Sequence, residues 1–185
     1  MQVEETPLKG CFLIHNSVFQ DERGYFFESF NAKSFYQQTG INTTFVQDNQ
    51  SRSVRGVLRG LHFQKGEFAQ AKLVRVLRGE VLDLAVDIRR NSPTFGKYYS
   101  VVLSETSATQ LFVPKGFAHG FLVLSEIADF FYKCDNYYNK DAERGIIYND
   151  PTININWKMS DQELIISTKD QQLPLLQSFA DADIV

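Results

Sequence analysis

The octet Val57–Gln64, VLRGLHFQ, sets a guanidinium and an imidazole beside a glycine inside an otherwise apolar run. Period-2 character over so short a stretch predicts a β-strand, and a regular strand would turn His62 and Gln64 to one face and Arg59 to the other. Gly60 alters that expectation. A glycine within a strand marks a bulge or a close backbone approach, and a bulge here would bring Arg59 and His62 into one pocket. On these residues alone two readings of His62 stay open: a hydrogen-bonded core histidine, or a proton-transfer group of the type that titrates near neutral pH.

A second dense motif, Pro114-Lys115-Gly116-Phe117-Ala118-His119-Gly120-Phe121, brings another histidine into a strand. Two histidines entering strands of a barrel-like chain suggest a cupin, and many cupins hold a metal through spaced His and Glu ligands. That ligand pattern is broken here. His62 is followed by Phe63-Gln64 rather than by a second histidine, His119 by Gly120-Phe121-Leu122-Val123 without an asparagine, and His15 sits on the N-terminal arm. A metal needs about three or four N, O or S ligands, so no metal is expected. There is no G-x-S-x-G elbow, and neither Cys11 nor Cys134 lies in a Gly-rich, His-adjacent context. Acid–base chemistry remains, with His62, His119, Tyr132, Tyr137, Tyr138, Lys72 and the Lys169-Asp170 pair as candidates. A carboxylate behind an imidazole fixes its tautomer and raises its basicity, a task suited to Asp170.

The elements that must position these groups read mostly as strands. Residues 10–19 and 24–30 predict a hairpin-like arm around the turn Gln20-Asp21-Glu22-Arg23-Gly24. On its second strand Phe26, Glu28 and Phe30 would share a face, the acid either serving a site or guarding an edge strand against aggregation. Residues 31–38 predict a helix with Asn31 as N-cap and Gly40 as its stop. Strand resumes over 43–52, where Gln47-Asp48-Asn49-Gln50 either caps a turn or faces a polar ligand. Residues 71–90 read as the strongest hairpin, two β-rich runs joined near Arg78-Gly79-Glu80. Lys72 falls on the face of Val74 and Val76, where a lysine snorkels to solvent or meets an anion. Strands over 97–103, 110–113, 120–124 and 127–135 complete a pattern that fits a sandwich or barrel. The tail, charged and loop-like over 142–151, with the sole tryptophan at Trp157 and a short helix over 173–179, is expected to pack on the β core.

Composition bounds the rest. A chain of 185 residues predicts one domain, divided into an N-terminal arm (1–50), a β core (51–140) and a C-terminal segment (141–185). Sixteen Phe and eight Tyr among recurring Val, Ile and Thr favour an all-β-dominated fold. A net charge of −3 without a basic stripe argues against nucleic acid, although scattered cations can still converge on one small phosphate group. Two cysteines without a CxxC spacing predict reduced thiols. The start MQVEETPLKG has no signal pattern, and no apolar run approaches the roughly 18 residues of a membrane span, so the expected location is cytoplasmic.

Taken together the motifs resemble the dTDP-4-dehydrorhamnose 3,5-epimerase family, cofactor-free cupin-type enzymes of dTDP-L-rhamnose biosynthesis. VLRGLHFQ, PKGFAHGF, ERGIIYNDP followed by Trp157, and STKDQQLP match family blocks in order, with QDNQS ahead of the first. The resemblance implies a jelly-roll barrel or sandwich with a few short helices. It implies His62 as the base, Asp170 as its partner, Tyr132 as the acid on the opposite face and Lys72 as the positive group near the sugar ketone. Arg23, Glu28, Gln47, Asp48, Asn49, Arg59, His119, Glu143 and Lys169 fall on substrate-contacting positions, Arg59 and Lys169 at the diphosphate. Tyr138 would stack on thymine, joined by Phe26 from a neighbouring subunit, because the family exchanges N-terminal strands in a homodimer.

The implied chemistry suits these residue types. In dTDP-4-dehydro-6-deoxy-D-glucose the C4 ketone makes the C3 and C5 protons both α to a carbonyl, so one base can remove either and no redox cofactor is needed. Inversion requires a base on one face and an acid on the other, and imidazole and phenol, ordinarily near ~6.5 and ~10, form a reasonable pair. A lysine would stabilise the enolate oxygen, and a guanidinium matches a diphosphate. A single-carbon epimerase acting on a related dTDP-4-keto sugar would share the same base and acid. A non-catalytic sugar-nucleotide-binding cupin would have no reason to keep His62, Asp170, Tyr132 and Lys72 together.

Overall fold

The computed structural model describes residues 1–179 and builds them around two facing sheets. The first runs in the order β1 (Gln2–Glu5), β2 (Phe12–His15), β10 (Thr109–Val113), β7 (Lys72–Arg78), β12 (Ile127–Cys134), β5 (Gln47–Val54). The second runs β13 (Glu143–Gly145), β6 (Val57–Gln64), β11 (Phe117–Val123), β8 (Glu80–Asp87), β9 (Tyr98–Ser104), with β14 (Ile165–Ile166) added parallel to β6. Strand alternation sends Val74, Val76 and Phe130 from the first sheet and Val81, Ala85 and Phe121 from the second into one shared core. This is the expected cupin-like, jelly-roll arrangement.

Two further apolar clusters lie outside the sandwich. On the back of the second sheet Leu58, Leu82, Leu84, Val86 and Leu122 pack against Ile146, Ile153, Trp157 and Leu176, so the tail does cover the β core. Leu58, Leu82 and Leu84 are at most 1% exposed, a burial that stabilises by about 1.5–3 kcal/mol per side chain relative to exposure. On the back of the first sheet Phe35 of α1 (Ala32–Thr39) packs on Phe112 with ring centroids 5.1 Å apart. That helix starts and stops as its sequence dictates. Asn31 accepts from the Ser34 N–H at 3.0 Å, and Gly40 closes it in the left-handed conformation with φ 70°.

The expected hairpin over 71–90 is corrected by the structure. β7 pairs with β10 and β12, whereas β8 pairs with β11 and β9, so Gly79 joins opposite sheets. β8 is buried at every position after Glu80, with Val81 and Ala85 facing the inner core and Leu82, Leu84 and Val86 facing the tail. A strand with two apolar faces belongs in the middle of a layered structure, and alternation alone does not say which sheet receives it. A Cβ at Gly79, whose φ is +77°, would run into the Ile127 carbonyl, so the crossing needs glycine.

The arm also departs from expectation. The predicted strand over 10–19 splits into β2 and β3 (Phe19–Asp21), and β3 pairs with β4 (Gly24–Phe26), which ends four residues early. Phe26 is therefore 69% exposed while Phe30 turns back into the α1 cluster, meeting Phe45 at 5.0 Å, and the two rings do not share a face. Strand β5 starts at Gln47 rather than 43 and runs on to Val54.

Candidate active site

A cavity of about 640 Å³ opens between the two sheets where the shared core gives way to polar side chains. Its walls come from both. β6 contributes Arg59 and His62, β11 contributes His119 and Phe121, β12 contributes Phe130 and Tyr132, β7 contributes Lys72, and β5 contributes Asn49.

Arg59 and His62 reach the same cavity because β6 slips by one residue against β11. His119 pairs with His62, but Phe121 pairs with Arg59, so three steps on β6 span two on β11. Gly60 lies within the bulge, with φ +127°, and a Cβ there would lie 2.7 Å from the Gly120 Cα and 2.9 Å from the His119 carbonyl. The bulge expected from the sequence is present. Arg59 is steadied by Ser53, whose hydroxyl accepts from its Nε at 3.2 Å.

His62 is clasped by a carboxylate. Its Nε2 lies 3.1 Å from Asp170 Oδ1, and the second Asp170 oxygen accepts from the Gly60 N–H at 3.3 Å. Asp170 itself is set by α2 (Thr168–Gln171), where the Ser167 hydroxyl accepts from the Asp170 N–H at 3.1 Å. Burial pushes the Asp170 carboxyl up, but His62, the Gly60 N–H and Ser167 outweigh it and hold the carboxyl below its ordinary value. With Nε2 bonded to Asp170, the buried Nδ1 of His62 has no hydrogen-bond partner.

Tyr132 and Lys72 stand on the opposite sheet, side by side on adjacent strands. The Lys72 Nζ lies 5.8 Å from the centre of the Tyr132 ring. Burial pushes the Tyr132 phenol up to about 12, against the pull of the Arg59 cation. Burial also holds the Lys72 amine below its ordinary value, opposed by the acidic groups of Cys134, Asp83 and Glu143. Near the cavity mouth Glu143 Oε2 accepts from Lys169 Nζ at 2.7 Å and from the Tyr138 hydroxyl at 3.0 Å. These bonds overcome the upward push of burial and keep Glu143 below its ordinary value.

Such a cavity sets an imidazole on one wall and a protonated phenol on the other, with a lysine amine beside the phenol. Residues 5–178 match the family model described as dTDP-4-dehydrorhamnose 3,5-epimerase. The dTDP-4-dehydrorhamnose 3,5-epimerase of Escherichia coli (strain K12) is 52% identical over 173 residues, covering 94% of this chain and 93% of that protein. The chain belongs to the dTDP-4-dehydrorhamnose 3,5-epimerase family. It is accordingly an isomerase. Among solved structures, the family's enzyme from Elizabethkingia anophelis NUHP1 superposes with a TM-score of 0.93 at 55% identity, covering 96% of this chain and 97% of that one. A dTDP-6-deoxy-D-glucose-3,5-epimerase from Legionella pneumophila Philadelphia 1, solved with dTDP-4-keto-L-rhamnose, superposes with a TM-score of 0.94 at 47% identity, covering 99% and 96%.

Of the residues singled out from the sequence, His62, Tyr132, Asp170, Lys72, Asn49, Arg59, His119, Tyr138, Glu143 and Lys169 all line the cavity. Five do not. Gln47 stays just behind the wall, its side-chain carbonyl accepting from the Tyr138 N–H at 3.0 Å. Asp48 alternates to the outer face of β5 and pairs with Lys133 at 2.8 Å, so it does not meet the cavity of its own chain. Arg23, Phe26 and Glu28 belong to the arm and also lie away from it, Arg23 pairing with Asp21 and Glu28 accepting from Asn31 at 3.2 Å.

One residue was missed. Asp83 on β8, fully buried, holds His119 through a 2.9 Å contact between its Oδ1 and the histidine Nε2. The signal was available, because an acid between Leu82 and Leu84 in a strand buried on both faces demands a partner. Among the described residues no cluster of three or more His, Cys, Asp or Glu side chains is placed to hold a metal.

Proposed function

We propose that this chain inverts C3 and C5 of dTDP-4-dehydro-6-deoxy-D-glucose, giving dTDP-4-dehydro-L-rhamnose, by proton transfer across the cavity. His62, oriented by Asp170, removes the proton α to the C4 ketone. Lys72 stabilises the developing enolate oxygen, and Tyr132 returns a proton from the opposite side. Arg59 and Lys169 hold the diphosphate, Tyr138 stacks on thymine, and Asn49, His119 and Glu143 contact the remainder. What supports this reading is that His62 on β6 lies across the cavity from Tyr132 on β12 and Lys72 on β7. The proton transfers need neither a metal nor a redox cofactor.

The same reading assigns Arg23, Phe26 and Glu28 to the cavity of a second copy, through a homodimer with exchanged N-terminal strands. Its support is the arm itself, where Phe19, Tyr25 and Phe26 are 66%, 65% and 69% exposed. The family match over 5–178 supports one epimerase domain. Among the described residues no helix is long and apolar enough to cross a membrane, and we place the enzyme in the cytoplasm with its nucleotide-sugar substrate.

The test is His62→Asn followed by proton NMR in deuterated water. Washout of the C3 and C5 protons should fall together by about 10²–10⁴-fold. Exchange at either carbon persisting at the wild-type rate would remove His62 from the role of common base.

A further inference from the structure

Glu143 ties together both ends of the cavity. Its Oε2 accepts from Lys169 Nζ at 2.7 Å and from the Tyr138 hydroxyl at 3.0 Å, while its Oε1 lies 3.9 Å from His62 Nδ1. The last distance is too long for a hydrogen bond. Nδ1 is nevertheless buried and unpartnered, and with Nε2 given to Asp170 it is the ring atom left to receive a proton. Once protonated, a buried N–H without an acceptor is costly, and Glu143 is within a small side-chain movement of supplying one.

The charges point the same way. Arg59, Lys72 and Lys169 line the cavity against two carboxylates, Glu143 and Asp170. Asp170 is committed to His62, so Glu143 is the anion that occupies Lys169 before any phosphate arrives. The Lys169 side chain is 60% exposed and free to turn to a bound anion, whereas Glu143 is 22% exposed and stays in the wall.

We propose that Glu143 is a positioning residue that hands Lys169 to the substrate diphosphate and, freed of that lysine, stabilises the His62 imidazolium once Nδ1 has taken the substrate proton. Filling the nucleotide end of the cavity thereby readies the base at the sugar end. This inference rests on the proton-transfer reading above. It assigns Glu143 two effects of opposite sign: competition with the diphosphate in the empty enzyme, and support of the protonated imidazole in the complex.

Calorimetry with dTDP and turnover by NMR separate the two. In Glu143→Gln the nucleotide should bind about threefold tighter, since the ion pair it must displace is gone, while kcat falls about tenfold because the imidazolium loses a nearby carboxylate. In a Lys169→Met background the same change should tighten dTDP by less than about twofold, there being no lysine to release. Weaker dTDP binding in Glu143→Gln, an unchanged kcat, a common loss of both, or tightening that persists without Lys169 would each overturn the proposal. Lys169→Met covers the case in which Glu143→Gln fails to fold, for Glu143 is then permanently free: KM should rise by a larger factor than kcat falls, and a fall in kcat as large as the rise in KM would again refute the handover. Failure of the underlying reading is distinguishable, because wild-type enzyme would then neither bind dTDP nor exchange substrate protons.

Discussion

Replacing Tyr132 by Phe removes one oxygen from the donor wall and leaves the acceptor wall intact. Burial pushes this phenol up to about 12, so it keeps its proton at neutral pH, as the proposed acid must. His62 keeps its 3.1 Å contact to Asp170 on the other sheet, and Lys72 keeps the ring 5.8 Å from its Nζ. Enolate formation should therefore survive, with His62 removing a proton and returning it, after exchange with solvent, to the side it came from. Delivery from the opposite face should fall by the roughly 10²–10⁴-fold that a general acid typically contributes. The expected result in deuterated water is loss of the C3 and C5 proton signals with little L-configured product, the ratio of exchange to inversion rising well above wild type. Tyr→Phe nearly conserves bulk, so stability should change little, which a melting curve checks. Should exchange and inversion fall by one common factor, Tyr132 acts on enolate formation and the two-wall assignment is wrong.

Lys72→Met should separate stability from activity. A lysine held below its ordinary value by burial binds its proton less readily folded than unfolded, so its charge destabilises the fold at neutral pH and that penalty fades as pH rises toward the ordinary lysine range. The methionine variant should melt about 2–4 °C higher for each kcal/mol recovered in a chain of this size, while turnover drops by about 10²–10³-fold as a charge-stabilising group is lost; a lower melting temperature at neutral pH would show that Lys72 is compensated within the fold. Gly60→Ala should do the reverse, destabilising by about 1–3 kcal/mol because the new Cβ meets the backbone of Gly120 and His119 rather than a movable side chain; circular-dichroism melts unchanged from wild type would show that the bulge tolerates a side chain.

What could be read from the sequence follows from how local each constraint is. Strand β6 was bounded residue for residue, because its apolar run and its glycine are both local, and the bulge that unites Arg59 with His62 follows from Gly60 alone. Helix α1 was legible for the same reason, its cap and its stop being two named residues. Strands β7 and β8 were found but wrongly paired, since alternation states which side chains share a face and is silent on which sheet the strand joins. The arm failed at Phe26 because Phe30 is drawn into the α1 cluster, a tertiary contact that outweighs the alternating pattern over 24–30.

The site obeys the same division. His62 and Arg59 come from one strand and were joined by local reasoning, but Tyr132 and Lys72 face them only because the chain changes sheets between β6 and β7 and again between β11 and β12. Those crossings, which alternation does not reveal, are what set the proposed base and the proposed acid on facing walls. Asp48 illustrates the converse, for its neighbour Asn49 reaches the cavity while alternation turns Asp48 outward to Lys133. A motif carries both residues across a family as a block; the strand period sorts them to opposite sides.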